Sequence, residues 1–159
     1  MVKESFESRL WRWGGNLFPA YRGTGARVIR IGADFHDVVI KLPCNWKTKN
    51  HMGITWGGSL YAALDPIYGL MLYKLLGRQY RVVDSKAEIR FLKPVRETLY
   101  AHFHICQSEL SWLKERLTKE DSARIQLHVC LKNKAGKIHA QCEKHIHISR
   151  NDVYEIAPA

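Results

Sequence analysis

The sequence predicts an α+β fold in which one long buried central helix is wrapped by a six-stranded antiparallel sheet, with a short helix at the amino terminus. Three observations carry this expectation. From Gly57 to Leu76 the only charged side chains are Asp65 and Lys74, and apolar residues surround the whole circumference between them, the pattern of a helix buried on all sides. Four later segments alternate apolar and polar residues with a period of two, so each has a single packed face. Before the helix, residues 26–42 are rich in valine and isoleucine on either side of a turn. A sheet that is apolar on one face must be covered by something, and the central helix is the filling.

The 159 residues have room for one domain with a sizeable core, divided as an N-terminal helix and flank over 1–24, a core over 25–149 and a tail over 150–159. Phe6, Leu10, Trp13 and Leu17 recur at helical spacing. They predict an amphipathic helix over 4–13 that Gly14 and Gly15 end, acting as a lid or flank. Residues 26–32 and 35–42 form a hairpin about the Gly32–Asp34 turn, closed by Pro43. After the central helix, Val83, Ser85, Ala87, Ile89 and Phe91 predict the packed face of a strand, while Asp84, Lys86, Glu88 and Arg90 lie on its polar face and Pro94 ends it. Three further strands follow: Leu99, Ala101, Phe103, Ile105; then Ile125, Leu127, Val129, Leu131; then Ile138, Ala140, Cys142, Ile146, Ile148. Residues 109–121 are charged and helix-prone, and Lys134–Gly136 turn the last hairpin.

Composition excludes several function classes. Lysine and arginine number 25 against 15 acids, a formal net charge of +10, so the surface attracts anions, and phosphorylated cofactors fit that field. The basic residues are scattered, with no zinc-finger or RNP-like motif, so no nucleic acid partner is expected. Asp65, Pro66 and Lys74 interrupt the longest apolar stretch, which therefore reads as a core helix and not a membrane span. The charged start, Met1 through Glu7, does not open a secretory signal, and Cys44, Cys106, Cys130 and Cys142 lack zinc spacing. A reduced, cytoplasmic setting is the expectation. His102, His104, His128, His145 and His147 fall on polar strand faces, and no metal is expected there because the sequence places no partnering carboxylate. The cysteines read as packing or surface thiols.

The chemistry centres on Asp65. A carboxylate inside an apolar helix must be paired, must hydrogen-bond, or must hold its proton to higher pH than usual. Pro66 marks the position further, because it removes the N–H that Ala62 would have accepted and disfavours helical geometry at Asp65. The plain alternative is that Asp65 caps a second helical segment beginning at Pro66. Gly57 and Gly58 leave the helix start bare, so a carbonyl oxygen can approach free backbone N–H groups at the positive end of the dipole, an oxyanion hole in outline. Asp65 lies eight residues on, about 12 Å along the axis, too far to serve the same carbonyl within one chain.

Asn50, Gly53, Gly57, Gly58 and Asp65 resemble the signature of the hotdog-fold thioesterases of the phenylacetate-pathway and human thioesterase-superfamily type, which hydrolyse acyl-CoA thioesters. Gly57-Gly58-Ser59, Asp65-Pro66, Arg90-Phe91 and Lys93-Pro94 are similar to a thioesterase-like branch of that superfamily related to a domain fused to acetyltransferases. The resemblance spans residues 5–148. It implies edge-to-edge homodimers, or dimers of dimers, in which Asp65 of one subunit meets the Gly57 amide of the other. Asp65 is then a general base for water or a nucleophile, and the residues favour the base without choosing it. Asn50 and Asp84 position substrate or water, although Asn50 before a glycine is equally turn chemistry. Arg90, Lys93 and Arg96 are candidates for coenzyme A phosphates, with ordinary surface charge as their other reading. The hydrolytic relatives place a histidine before the glycine pair, where this chain has Trp56, whose indole cannot shuttle a proton but suits stacking or an acyl tunnel.

The leading expectation is an acyl-CoA thioesterase that needs no cofactor or metal. The alternative is a non-catalytic hotdog domain that binds an acyl or CoA-like ligand. A hydratase ranks last, since only His51 lies nearby to pair with an acid.

Overall fold

The computed structural model describes residues 3–151. In chain order the elements are helices α1 (Phe6–Leu17) and α2 (Pro19–Gly23), strands β1 (Arg27–Ile31) and β2 (Asp37–Leu42), and helices α3 (Gly57–Leu64) and α4 (Ile67–Leu76). Strands β3 (Tyr80–Phe91) and β4 (Leu99–His104), helix α5 (Gln107–Lys119), and strands β5 (Ser122–Lys132) and β6 (Ile138–Arg150) complete the order. The strands make one six-stranded sheet in the order β1-β2-β4-β5-β6-β3, antiparallel throughout. The rod formed by α3 and α4 packs on its apolar face, where Leu64, Leu72, Phe103, Leu131 and Ile146 are fully buried. Tyr68 locks the rod in place, its ring edge-on to Phe103 at 4.9 Å and its hydroxyl donating to the His128 carbonyl at 2.8 Å. This is the hotdog architecture. Residues 152–159, most of the expected tail, lie outside the described residues.

Four local expectations change. Gly14 and Gly15 do not end α1, which runs on to Leu17. Neither glycine takes the left-handed conformation that stops a helix, and beyond them Asn16 pairs with Val28 of β1 in both directions, amide to carbonyl and N–H to Oδ1, each at 2.8 Å. That anchor, with Glu4 accepting from the Ile31 N–H at 3.1 Å and from Arg12, docks the polar side of α1 onto the edge strand β1. The stripe of Phe6, Leu10, Trp13 and Leu17 consequently points to solvent, each at least 63% exposed.

The central helix is interrupted at Asp65–Pro66, and its outer flank is open at Leu70 and Tyr73, so it is not buried on all sides. Pro66, not Asp65, takes the cap position of α4, and no side chain caps it, which removes the capping role for Asp65. In β3 the register shifts between Asp84 and Lys86. This bulge puts Ser85 outside the alternation, so Val82 and Asp84 face inward before it and Ala87 and Ile89 after it, while Val83, Ser85 and Phe91 are exposed. Asp84 therefore does not lie on the polar face. Helix α5 begins earlier than expected, at Gln107, because the Cys106 thiol and the Glu109 carboxylate form a reciprocal cap.

Candidate active site

The packed row of β6 holds one residue of the wrong polarity. Cys142, Lys144, Ile146 and Ile148 all point inward, and the Lys144 side chain is completely buried. Its Nζ donates to Asp65 Oδ1 at 2.9 Å and to the Asp65 carbonyl at 3.1 Å, and it is ion-paired with Asp84 Oδ2. The bulge at Ser85 is what turns Asp84 toward it, and the break at Pro66 is what leaves the Asp65 carbonyl available. Tyr61, one helical turn before Asp65, lays its ring 5.3 Å from the ammonium. The second oxygen of Asp84, Oδ1, is buried without a hydrogen-bond partner.

The electrostatics follow from this arrangement. Partial burial alone would raise the Asp65 carboxyl, but the hydrogen bond from Lys144, the nearby Tyr61 hydroxyl and the lysine charge outweigh it and hold the group below the usual carboxylate range. Burial alone would lower Lys144, and its bonds to Asp84 and Asp65 outweigh that, so the ammonium persists above the ordinary lysine range. Burial pushes the neighbouring Cys142 thiol up to about 11, too high for a thiolate nucleophile. Two carboxylates around one cation leave the cluster with a net negative charge, and Asp65 keeps 46% of its side chain open while Asp84 keeps 28%.

The other half of the site is the start of α3. Trp56 is the residue before the helix and contributes no side-chain cap, so no side chain of the cap claims the first-turn amides of Gly57 and Gly58. The glycines also have a packing reason that the sequence does not reveal. A Cβ on Gly58 would stand 2.6 Å from the Trp56 ring, and one on Gly57 3.3 Å from the Phe91 ring. Both rings are more than half exposed and border the amide end.

Asn50 sits in the preceding loop, where its Oδ1 accepts from Met52 N–H at 3.0 Å and Ile54 N–H at 3.3 Å and its carbonyl closes a turn to Gly53, whose φ is +71°. Arg96 reaches that loop through the Met52 carbonyl at 3.4 Å. Arg90 instead pairs with Glu88, and Lys93 and His51 are exposed. The structure thus brings Asp65 and Asp84 together on Lys144, sets Trp56 against Gly58, and joins Arg96 to the Asn50 loop. Lys144 and Tyr61 are the residues that sequence reasoning missed. The histidine pair on β4 does have a carboxylate, since Asp37 of β2 accepts from His102 at 2.6 Å and from His104 at 3.1 Å. Among the described residues no group of three or more such side chains could hold a metal ion.

A family model described as a domain of unknown function, DUF4442, matches residues 9–148. The chain belongs to the DUF4442 family. No curated protein matches its sequence. Its fold is shared with a Pseudomonas aeruginosa protein of unknown function called a probable thioesterase, at a TM-score of 0.78 and 16% identity over 89% of this chain and 95% of that one. A Chlorobaculum tepidum protein of unknown function gives 0.75 at 17% identity, covering 90% and 93% of the two chains. A Haemophilus influenzae thioesterase gives 0.71 at 14% identity, covering 97% and 98%. At these identities the likeness establishes the hotdog fold of this DUF4442 chain, and its chemistry has to be argued from its own residues.

Proposed function

We propose that this DUF4442 protein is an acyl-CoA thioesterase whose site is completed between two subunits. The reading rests chiefly on the half-open Asp65 carboxylate, kept ionised by Lys144 and Tyr61 at the break in the central rod. An ionised carboxylate is the form required either to take a proton from water or to attack the thioester carbon. Asp84, on the same lysine, fixes the cluster and offers its unpartnered oxygen to a water. The amides of Gly57 and Gly58 belong to the partner's rod in this scheme, and they receive the carbonyl oxygen as charge develops on it. Strand β3 supplies the meeting edge: it is the last strand in the sheet order, and no other strand among the described residues pairs with its outer side. Trp56 and Phe91 line the approach to the amides, while Arg96, with Arg90 and Lys93 further out, offers positive charge to the phosphates of coenzyme A. No helix among the described residues is long and apolar enough to cross a membrane.

One observation favours a second reading, a hotdog domain that binds an acyl or CoA-like ligand without turnover. A carboxylate held below its usual range is a weak base, and Trp56 supplies no proton shuttle. Release of free thiol from a panel of short, medium, long and aromatic acyl-CoAs separates the two. The thioesterase reading expects turnover that falls on the order of 10²-fold or more in Asp65→Asn. Absence of turnover with every ester, accompanied by a ligand-dependent rise in melting temperature, replaces it with the binding module.

A further inference from the structure

Helix α1 carries two adjacent glycines in its interior, and neither is explained by conformation or crowding. Gly14 and Gly15 avoid positive φ, and apart from the helix's own backbone no atom lies within 4 Å of where a Cβ would stand on either. Each glycine costs about 0.5–1 kcal/mol relative to alanine in a helix interior. What they border is a cavity of about 520 Å³ between α1–α2, the β1–β2 hairpin and α4, with Trp11, Phe35, Ile67 and Met71 in its walls. Among the described lining residues none is charged, and the one hydroxyl, that of Tyr21, already donates to the Ala63 carbonyl at 3.2 Å. The volume lies within the range of small-molecule sites.

The cavity has an open end and a cation beside it. Leu10 and Phe18, which belong to the lining, are more than 60% exposed, and they continue into the apolar stripe of α1. Lys74 places its Nζ 5.5 Å from the Trp11 ring centroid and 5.0 Å from that of Phe35, both wall residues, and is ion-paired there with the exposed carboxylate of Glu7. A carboxylate is thus already the group that Lys74 holds, and a surface pair of this kind exchanges partners at little cost.

We propose that this cavity binds the hydrocarbon chain of an aliphatic carboxylate, with the ligand's head group taking the place of Glu7 on Lys74. Gly14 and Gly15 are glycines because a side chain there fills the space the chain occupies. The cavity reaches the central rod at Pro66, next to Asp65, while the Asp65 carboxylate itself is not in the lining and pairs with Lys144 on β6.

The test is quenching of tryptophan fluorescence in the intact protein by bromododecanoate, with Trp11→Phe assigning the signal. Saturable quenching is expected in the wild type and equally in Asp65→Asn, so the outcome is independent of the thioesterase reading. Gly14→Leu and, made separately, Gly15→Leu are expected to fold with an unchanged or raised melting temperature and to bind about tenfold more weakly or worse. Lys74→Gln is expected to weaken the carboxylate to a similar degree while leaving bromododecanol unaffected. The proposal is overturned by absence of saturable quenching in the wild type, by undiminished binding in the two leucine variants, or by equal binding of acid and alcohol to the wild type.

Discussion

Lys144 is the residue on which the site turns. It is buried, it bridges two carboxylates of different strands and helices, and it sets the ionisation of Asp65. Replacing it with methionine removes hydrogen bonds to charged groups and is expected to cost roughly 2 kcal/mol, read from urea unfolding at neutral pH. The pH dependence is the sharper readout. Asp65, with a lowered folded-state value, contributes stability that is present above the usual carboxylate range and lost as pH falls through that lowered value. Lys144, with a raised value, contributes stability that is present below the usual lysine range and lost as pH rises through the raised value. Glu4 and Asp37 have acid limbs of their own, so the difference between wild type and Lys144→Met is what counts. That difference shrinks at both extremes if Lys144 is the cause, whereas an unchanged difference at acid pH contradicts it. The sequence contains the signal for this residue, because position 144 shares parity with Cys142 and Ile146 in an inward row. A lysine there reads as an interruption of the pattern until a partner is known, and its partner Asp84 was hidden by a bulge that no periodicity announces.

At the scale of elements, spacing located most segments and hydrogen bonds decided their orientation. The period of Phe6, Leu10, Trp13 and Leu17 correctly marks a helix, yet the stripe faces solvent because Glu4, Arg12 and Asn16 hold the opposite side on β1. Amphipathicity tells which face is apolar and says nothing of a competing polar anchor. Asn16→Ala removes both bonds to Val28, one from each direction. The expected result is faster amide hydrogen exchange along α1 and at Val28, by an amount equivalent to about 1–3 kcal/mol of local stability, with exchange in β5 and β6 unchanged. Uniform acceleration across the sheet would show instead that α1 is part of the global unfolding unit. The packed faces of β4, β5 and β6 were legible because each alternates on the core, while that of β3 was obscured by its bulge and the start of α5 depended on a thiol cap that Ser, Thr or Asp would have made easier to see.

For the whole molecule, the sheet wrapped on a central rod follows from two periods, 3.6 residues for the helix and two for the strands, and from the need to cover an apolar face. The location of the site follows less directly, since Asp65 and the Gly57 amide lie on one rod about 12 Å apart, and in the proposed function they are brought together by a second copy. The most direct measurement of that claim is subunit mixing. Asp65→Asn removes the carboxylate. Gly57→Pro removes the amide at a helix start that tolerates proline, after Trp56 in the extended conformation that a following proline prefers. Each variant alone is expected to be inactive towards the acyl-CoA that the wild type hydrolyses. Random mixing makes half of the dimers hybrid with one intact site each, so activity recovers to about a quarter of wild type. Hybrid dimers that form and remain inactive would contradict a site shared between subunits.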